Sequence, residues 1–208
     1  MSRLALIGNP NIGKTSLFNT LTNSYEYVGN WSGVTVEKKV GQVKKIQKEI
    51  IDLPGVYTLN PISRDESVVT SFLLEDQVDG ILNIIDASNF ERNMQLTVDI
   101  LELRKPVFVC LNMIDVAKKK GISIDVEKLQ RSLGVPVIPI SARTGKGVEG
   151  IYAAIQDSDR TQKHFTLTYD DLIEEAIVKI EALLHILDIQ RRGCIIHFLM
   201  GHEAVNAI

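Results

Sequence analysis

The sequence has little of what marks secreted, membrane-spanning or nucleic-acid-binding chains. Only two of its 208 residues are cysteines, six are prolines, and the formal net charge is -3. No run approaches the roughly 18 apolar residues of a membrane-spanning helix, and the chain opens on a predicted strand instead of a signal peptide. Cys110 and Cys194 lie far apart, which indicates reduced thiols and a cytoplasmic setting. We expect no nucleic-acid partner, because the chain has no excess of positive charge.

What the sequence does contain is an alternation of apolar, β-branched runs with helix-like segments. The runs cover residues 4–7, 80–85, 107–111 and 135–140, and residues 34–43 and 45–52 resemble an antiparallel pair. Apolar runs of this kind are typical of parallel strands that helices cover on both faces. We predict a doubly wound α/β fold with a mostly parallel six-stranded sheet. Its predicted helices lie at residues 14–21, 65–75, 89–103, 125–133 and 148–155.

The chain changes character near residue 160. Residues 157–162 are polar, and apolar residues then recur at helical spacing between positions 172 and 187. Thr168 and Asp171 have the spacing of a helix cap, and residues 194–200 indicate a second helix. We therefore predict an α/β domain at 1–160 and a small helical domain at 161–208, which ends so soon that it is expected to be incomplete.

A phosphate-binding loop is the strongest signal in the sequence. The pattern GxxxxGK[ST] stands between a predicted strand and a predicted helix, as its mechanism requires. Backbone N–H groups and the helix N-terminus would surround phosphates, and Lys14 would reach the β and γ phosphates. A glycine-rich turn without a ligand is the other interpretation. The loop and the residue after it are Gly8, Asn9, Pro10, Asn11, Ile12, Gly13, Lys14, Thr15 and Ser16.

Two later segments indicate that the nucleotide base is guanine. Asn112, Met113 and Asp115 follow a predicted strand, and the Asp115 carboxylate can accept hydrogen bonds from N1 and the 2-amino group of guanine. Adenine offers neither donor, so such a site rejects it. A helix cap is the alternative for this segment alone. After the next strand, backbone N–H groups would close over the base from Ser141, Ala142 and Arg143.

A third group of residues fits Mg²⁺ and the γ-phosphate of the nucleotide. The Thr15 hydroxyl is a candidate Mg²⁺ ligand, and Asp52 can hold a Mg²⁺-bound water. The Gly55 N–H can meet the γ-phosphate, and Thr35 is the candidate second hydroxyl on the metal. Asp52 and Gly55 belong to the segment 52–55, and Thr35 belongs to the segment 33–35. The other predicted site residues in these two segments are Leu53, Pro54, Gly33 and Val34.

Five boxes in this order resemble the small-GTPase superfamily that includes Ras, over about residues 3–145. The closer resemblance is to the N-terminal cytoplasmic region of FeoB-type ferrous iron transporters. It is carried by GNPNIGKTSLFN at 8–19, NWSGVTVEKK at 30–39, DLPGVYTL at 52–59, ILNIIDASNFERN at 81–93 and LNMID at 111–115. The chain departs from the usual family residues at Ile12, Ser16 and Ser32, none of which is expected to remove a phosphate or base contact.

The resemblance implies a GTPase that regulates a membrane-spanning iron pathway of the same full-length protein, from the cytoplasmic face of the membrane. Ras-like enzymes orient the attacking water with a glutamine, but Val56 occupies that position here. Similarity to potassium-dependent members of the superfamily instead implies a K⁺ ion held by Asn11. The implied cofactors are GTP or GDP, Mg²⁺ and K⁺, and the residues expected to act in hydrolysis are Asn11, Lys14, Thr35 and Gly55.

Two other functions remain open from the residues alone: a soluble ribosome-assembly or RNA-modification GTPase, and a nucleotide-binding adaptor without hydrolysis. A ribosome-associated GTPase would be expected to carry a basic appendage, whereas the first C-terminal helix is acidic and apolar. Self-association of the chain is also left open. No iron ligand is assigned, because the four histidines lack the spacing of a metal site: His164, His185, His197 and His202.

Overall fold

The computed structural model of the chain describes residues 3–22, 25–31, 37–60, 64–74, 78–157, 165, 167–185 and 195. Its strands are β1 (Arg3–Gly8), β2 (Tyr25–Asn30), β3 (Glu37–Val43), β4 (Lys48–Asp52), β5 (Gly80–Asp86), β6 (Val107–Asn112) and β7 (Val137–Pro139). They form one sheet in the order β2-β3-β4-β1-β5-β6-β7.

The sheet is mixed, and the prediction of six strands was wrong. Strand β1 pairs in parallel with β4 and β5, and β5, β6 and β7 continue the parallel part. Strands β2 and β3 are antiparallel, as are β3 and β4. The strand missed from the sequence is β2, whose pairing with β3 shifts register between Glu26 and Gly29. Its sequence ends in Gly29 and Asn30, two residues that are uncommon in strands, so local pattern did not reveal it.

The helices lie close to their predicted positions. They are α1 (Lys14–Thr22), α2 (Arg64–Leu74), α3 (Phe90–Leu101), α4 (Ile114–Lys119), α5 (Val126–Leu133), α6 (Val148–Gln156) and α7 (Asp171–His185), and a short 3-10 helix spans Ala87–Asn89. Asp125 caps α5 by accepting a hydrogen bond from the Lys128 N–H, and Gly134 ends that helix in the left-handed conformation. Among the described α-helices, only α4, a helix of six residues, had no counterpart among the predicted ones.

Two apolar layers cover the sheet. One contains the buried faces of α2 and α3, with Phe72 and Leu96 among its members, and the other contains those of α1 and α6, with Phe18 and Ile151. Burial of these side chains is the main favourable contribution to folding. Polar residues stand at the ends of three strands: Asp52 in β4, Asp86 in β5 and Asn112 in β6.

The parallel strands end at one edge of the sheet, and this edge positions the candidate site. Leu6 of β1 pairs with Asp52 of β4, and Asp86 of β5 pairs with Asn112 of β6. In open α/β sheets ligands bind outside the carboxyl ends of the strands, where neighbouring connections leave on opposite faces. The phosphate loop leaves β1 at such a point, between β4 and β5.

Helix α7 is the described part of the predicted helical domain. Asp170 caps it by accepting a hydrogen bond from the Ile173 N–H (3.0 Å), so the expected cap by Thr168 was wrong. The Leu167 N–H donates to Glu102 at the end of α3 (2.7 Å), which ties the segment before α7 to the sheet domain. The second predicted helix, at 194–200, lies outside the described residues except for Ile195. Among the described helices, none has the length and apolar character needed to span a membrane.

Candidate nucleotide-binding site

The phosphate loop runs from the end of β1 into α1 and depends on two glycines. A Cβ on Gly8 would lie 2.5 Å from the Ile84 carbonyl oxygen, so no larger residue fits between β1 and β5. Gly13 has φ +92°, and a Cβ there would lie 2.7 Å from Asn112 Nδ2. Asn11 has φ 63°, a left-handed conformation that asparagine tolerates better than most residues. The loop therefore exposes backbone where a phosphate group would bind.

Lys14, where the loop enters α1, forms an ion pair with Asp52 at the end of β4. Both side chains are largely buried, with 13% and 9% of their surface exposed. Burial raises the pKa of the Asp52 carboxyl above its ordinary value, while Lys14 and, more weakly, Lys39 oppose that rise. The pair brings together the two groups predicted to contact the phosphates and the Mg²⁺-bound water.

The segment after β4 packs directly on the phosphate loop. The Leu53 N–H donates to the Leu6 carbonyl (3.0 Å), and the Val56 N–H donates to the Gly8 carbonyl (3.3 Å). A Cβ on Gly55 would lie 3.1 Å from Pro10 Cα, so the two loops touch at this glycine. Val56 is only 2% exposed. The residue at the position of the Ras glutamine is therefore part of the apolar core, and its side chain has no polar group that could orient a water molecule.

Asn112 joins two parts of the site that lie far apart in sequence. Its Nδ2 donates to the Ile12 carbonyl (2.8 Å), and its Oδ1 accepts from the Ala142 N–H (3.0 Å). Both bonds are buried, so each replaces a solvent contact that the backbone group has lost. The sequence placed Asn112 among the base-reading residues. Its geometry also makes it a clamp between the phosphate loop and the loop after β7.

Two of the residues predicted to contact the base, Asp115 and Ser141, line a cleft between α4 and the loop after β7. Asp115 lies exposed in the first turn of α4, which follows Met113 in the left-handed conformation (φ 59°). Across the cleft, the Ser141 N–H donates to the Lys146 carbonyl (2.8 Å) and closes a tight turn. The cleft has a volume of about 480 Å³, and its lining includes Asp115, Ser141, Thr144 and Lys146.

The other predicted site residues are placed as follows. Asn11, Thr15 and Ser16 are exposed around the start of α1, and Arg143 is exposed beside buried Ala142. Asn9 is buried, and its Nδ2 has no hydrogen-bond partner among the described residues. Gly33, Val34 and Thr35 lie outside the described residues.

The segment ASNFERN at 87–93 forms a local hydrogen-bond network with Asp86 at the end of β5. The Asp86 carboxylate accepts from the Ser88 N–H (2.7 Å) and from Asn89 Nδ2 (2.8 Å). Asn93 Oδ1 accepts from the Asp86 N–H (3.1 Å). The network shapes the turn from β5 into α3. Within the described part of the chain, no three His, Cys, Asp or Glu residues cluster as a metal site would require.

Sequence reasoning missed one contact of the site loops, on α3. Asp99 accepts hydrogen bonds from Thr58 and from the Leu59 N–H, four residues beyond Gly55. The partners are about 40 residues apart, and no local pattern marks Asp99 among the other acidic residues of the chain.

A family model, curated proteins and solved structures all match this chain. The family model described as "Ferrous iron transport protein B" matches residues 2–155. The chain is 56% identical over 178 residues to the Fe(2+) transporter FeoB of Staphylococcus aureus (strain MSSA476), an alignment that covers 85% of the chain and 27% of that protein. The chain thus spans about a quarter of the length of this curated relative.

Two solved structures superpose on the whole chain. The crystal structure of an S. thermophilus NFeoB variant bound to GDP is 43% identical, with a TM-score of 0.90, and 82% of its chain is covered. The cytosolic domain of the T. maritima FeoB iron transporter in its GMPPNP form is 38% identical, with a TM-score of 0.90, and 84% of its chain is covered.

Proposed function

This chain belongs to the ferrous iron transport protein B family, and from that premise we propose that it binds GTP and hydrolyses it to GDP and phosphate. In this proposal the chain is the regulatory GTPase domain of a ferrous iron transporter. Structures of similar proteins hold GDP or GMPPNP, which supports a guanine nucleotide as the ligand of this chain.

The double hydrogen bond of Asn112 is the observation that carries the proposal. It fixes the phosphate loop relative to the loop that would cover the base. A nucleotide has its phosphates and its base at opposite ends. The phosphate loop and the loop after β7 must therefore be held at a fixed distance from each other to bind both ends. We expect Asp115 to read the guanine edge and the loop at 141–143 to cover the base with backbone N–H groups.

The residues around Lys14 fit a magnesium ion. Thr15 offers an exposed hydroxyl, and Asp52 offers a carboxylate whose second oxygen lies outside the pair with Lys14. Hydroxyl, carboxylate and phosphate oxygens are the ligands that Mg²⁺ prefers. We propose that Thr15 and Thr35 hold Mg²⁺ directly and that Asp52 holds it through water. The ion would supply positive charge next to the phosphate oxygens.

Potassium is the proposed second cation, with Asn11 as its ligand. The Asn11 side chain is exposed on the phosphate loop, in a left-handed backbone conformation, and its amide oxygen suits a hard monovalent cation. The ion would supply the charge that an arginine finger supplies in other GTPases. This chain has buried Val56 where Ras has its glutamine, so hydrolysis needs another source of stabilisation. Lys14 and the Gly55 N–H are expected to stabilise the γ-phosphate during the reaction.

Two of the segments expected to contact the γ-phosphate and Mg²⁺ would change conformation with the bound nucleotide. We propose that the γ-phosphate and Mg²⁺ order switch I, near Thr35, and switch II, between Gly55 and Asp65. The helical segment at 161–208 would form a second domain that transmits this change to the membrane-spanning part of the full-length protein. Hydrogen bonding between Leu167 and Glu102 supports contact between the two units. We place the chain at the cytoplasmic face of the membrane.

Nucleotide hydrolysis by the purified chain tests the proposal. With Mg²⁺ present, we expect slow turnover of GTP, no turnover of ATP, and a faster rate in KCl than in matched NaCl. Asn11→Ala is expected to remove the difference between the two salts while GDP affinity is retained. Binding of GTP without any turnover in either salt would favour the adaptor function, and equal turnover in the two salts would remove the potassium site alone.

A further inference from the structure

Asp99 of α3 makes three hydrogen bonds, two of them to the first part of switch II. Its Oδ2 accepts from Thr58 Oγ1 (2.7 Å) and from the Leu59 N–H (2.9 Å), and its Oδ1 accepts from Gln95 Nε2 (2.9 Å). Hydrogen bonds to an ionised carboxylate are stronger than those between neutral groups. One half-buried side chain therefore holds both a side chain and the backbone of switch II.

The backbone of Leu59 is held from two helices at once. Its N–H donates to Asp99 on α3, and its carbonyl accepts from Thr70 Oγ1 on α2 (2.9 Å). The Leu59 side chain is fully buried. The orientation of this part of the backbone is consequently fixed by α2 and α3 together.

The other end of the segment is held by the sheet and the phosphate loop. Leu53 and Val56 donate their N–H groups to the Leu6 and Gly8 carbonyls. Gly55 lies between these two bonds in sequence, and its own N–H is not used in either. The segment from Leu53 to Leu59 is thus fixed at both ends and contains the glycine expected to donate to the γ-phosphate.

A weaker contact from the same helix supports this arrangement. The Arg92 guanidinium lies 4.4 Å from the centre of the Tyr57 ring. Arg92 and Asp99 are separated by about two helical turns, which places them on one face of α3. A cation–π contact at an exposed tyrosine is worth only about 0.5–1 kcal/mol, so Asp99 is the main attachment of this face to switch II.

We propose that Asp99 is a positioning residue for GTP hydrolysis: it holds Leu59 so that the Gly55 N–H stays directed toward the γ-phosphate. The proposal rests on the GTPase function proposed above. It assigns to α3 a role in the reaction that is exerted through switch II instead of through direct contact with the nucleotide. Small displacements of positioned groups have large kinetic effects, since a shift of about 1 Å can cost on the order of 100-fold in rate.

The test compares Asp99→Ala with Glu91→Ala, which removes an exposed acidic residue from the same helix. For each variant of the 208-residue chain we would measure kcat and KM for GTP, affinities for GDP and GMPPNP, and the melting temperature. Asp99→Ala is expected to lower kcat about tenfold and to weaken GMPPNP binding relative to GDP, because only GMPPNP has the γ-phosphate. Glu91→Ala is expected to leave both quantities unchanged.

Two more variants separate positioning from general destabilisation. Asp99→Asn keeps one oxygen that can accept from the Leu59 N–H, so it is expected to recover part of the lost kcat. Thr58→Val removes one of the two bonds between Asp99 and switch II, together with the bond that Thr58 Oγ1 accepts from the Asn60 N–H (3.0 Å). Because the two variants share the Thr58–Asp99 bond, the loss of kcat in the double variant should be smaller than the sum of the two separate losses.

The proposal would be overturned by an unchanged kcat in Asp99→Ala. It would also be overturned by a parallel loss of GDP affinity, GMPPNP affinity and melting temperature without recovery in Asp99→Asn. If the unmodified chain itself does not hydrolyse GTP, the proposed function fails, and the ratio of GMPPNP to GDP affinity still decides whether Asp99 positions switch II.

Discussion

The ammonium group of Lys14 and the carboxylate of Asp52 form an ion pair that joins the first turn of α1 to the end of β4. Burial raises the pKa of Asp52, and Lys14 is the principal group that opposes this rise. The charged form of Asp52 therefore depends on Lys14 more than on any other residue.

We predict that Lys14→Met makes the stability of the chain depend more strongly on pH. Without Lys14 the pKa of Asp52 rises further, so keeping Asp52 ionised above that pKa costs more free energy. The free energy of unfolding should fall by roughly 3 kcal/mol at neutral and alkaline pH, as expected when one partner of a buried pair is removed. The deficit should shrink as the pH falls and Asp52 becomes neutral. Urea unfolding at a series of pH values measures it.

The double variant Lys14→Met, Asp52→Asn is the matched control for this effect. It removes the carboxyl whose pKa is raised, so its stability should recover most of the loss at alkaline pH. A deficit of equal size in the single and double variants, or one that grows as the pH falls, would contradict the account of the ion pair.

Asn112→Ala is predicted to weaken nucleotide binding by separating the two loops that Asn112 joins. The buried Ile12 carbonyl and Ala142 N–H would both lose their partner, at a cost of roughly 1–3 kcal/mol for each unsatisfied group. Asn83→Ala serves as the control, because Asn83 is also a fully buried asparagine and bonds Thr97 (2.7 Å) away from the loops. Calorimetry with GDP should show reduced affinity for the first variant only, while both variants lose stability. Equal GDP affinities would show that the clamp has no role in binding.

Local features of the sequence were enough to predict much of the fold. The strand–loop–helix setting of the phosphate loop and the helices near residues 125 and 148 were predictable, because caps and apolar spacing are local properties. The family resemblance was confirmed as well. Strand β2 was missed because its position depends on pairing with β3 at the edge of the sheet, and its own sequence has weak strand character.

The contacts within the candidate site were harder to predict. Asn112 and Ile12 are 100 residues apart in sequence, and Asp99 and Leu59 are 40 apart. A motif identifies residues that tend to bind a nucleotide, but it does not reveal which side chain holds which loop. The roles of individual residues toward guanine, Mg²⁺ and K⁺ therefore remain predictions to be tested with the ligands.

Asp115→Asn is expected to change the preferred base from guanine to xanthine. Xanthine carries an oxygen where guanine carries the 2-amino group, so the amide N–H introduced by this substitution could donate to that oxygen while the amide oxygen accepts from N1. Loss of a paired polar contact typically costs on the order of 1–3 kcal/mol, which predicts a loss in GDP affinity of roughly 10- to 100-fold. Competition between GDP and XDP measures the change. An unchanged preference for GDP would mean that Asp115 does not read the base.

Trp31 provides an internal probe for the layer that links the end of β2 to α2. It is the single tryptophan of the chain, and its ring packs edge-on against Phe72 with centroids 5.0 Å apart at 74°. Phe72→Ala should lower the free energy of unfolding by about 3–5 kcal/mol and shift the Trp31 emission to longer wavelength, because water would reach the indole ring.

Phe108→Ala is the control for this prediction, since Phe108 is also buried but belongs to the opposite layer with α1 and α6. It should destabilise the chain by a similar amount and leave the emission of the folded protein unchanged. Emission spectra and urea unfolding of the two variants at the same temperature make the comparison. Equal spectral shifts would show that Trp31 responds to loosening of the whole core. A shift in Phe72→Ala alone would establish Trp31 as a local reporter of α2, the helix that begins at the end of switch II.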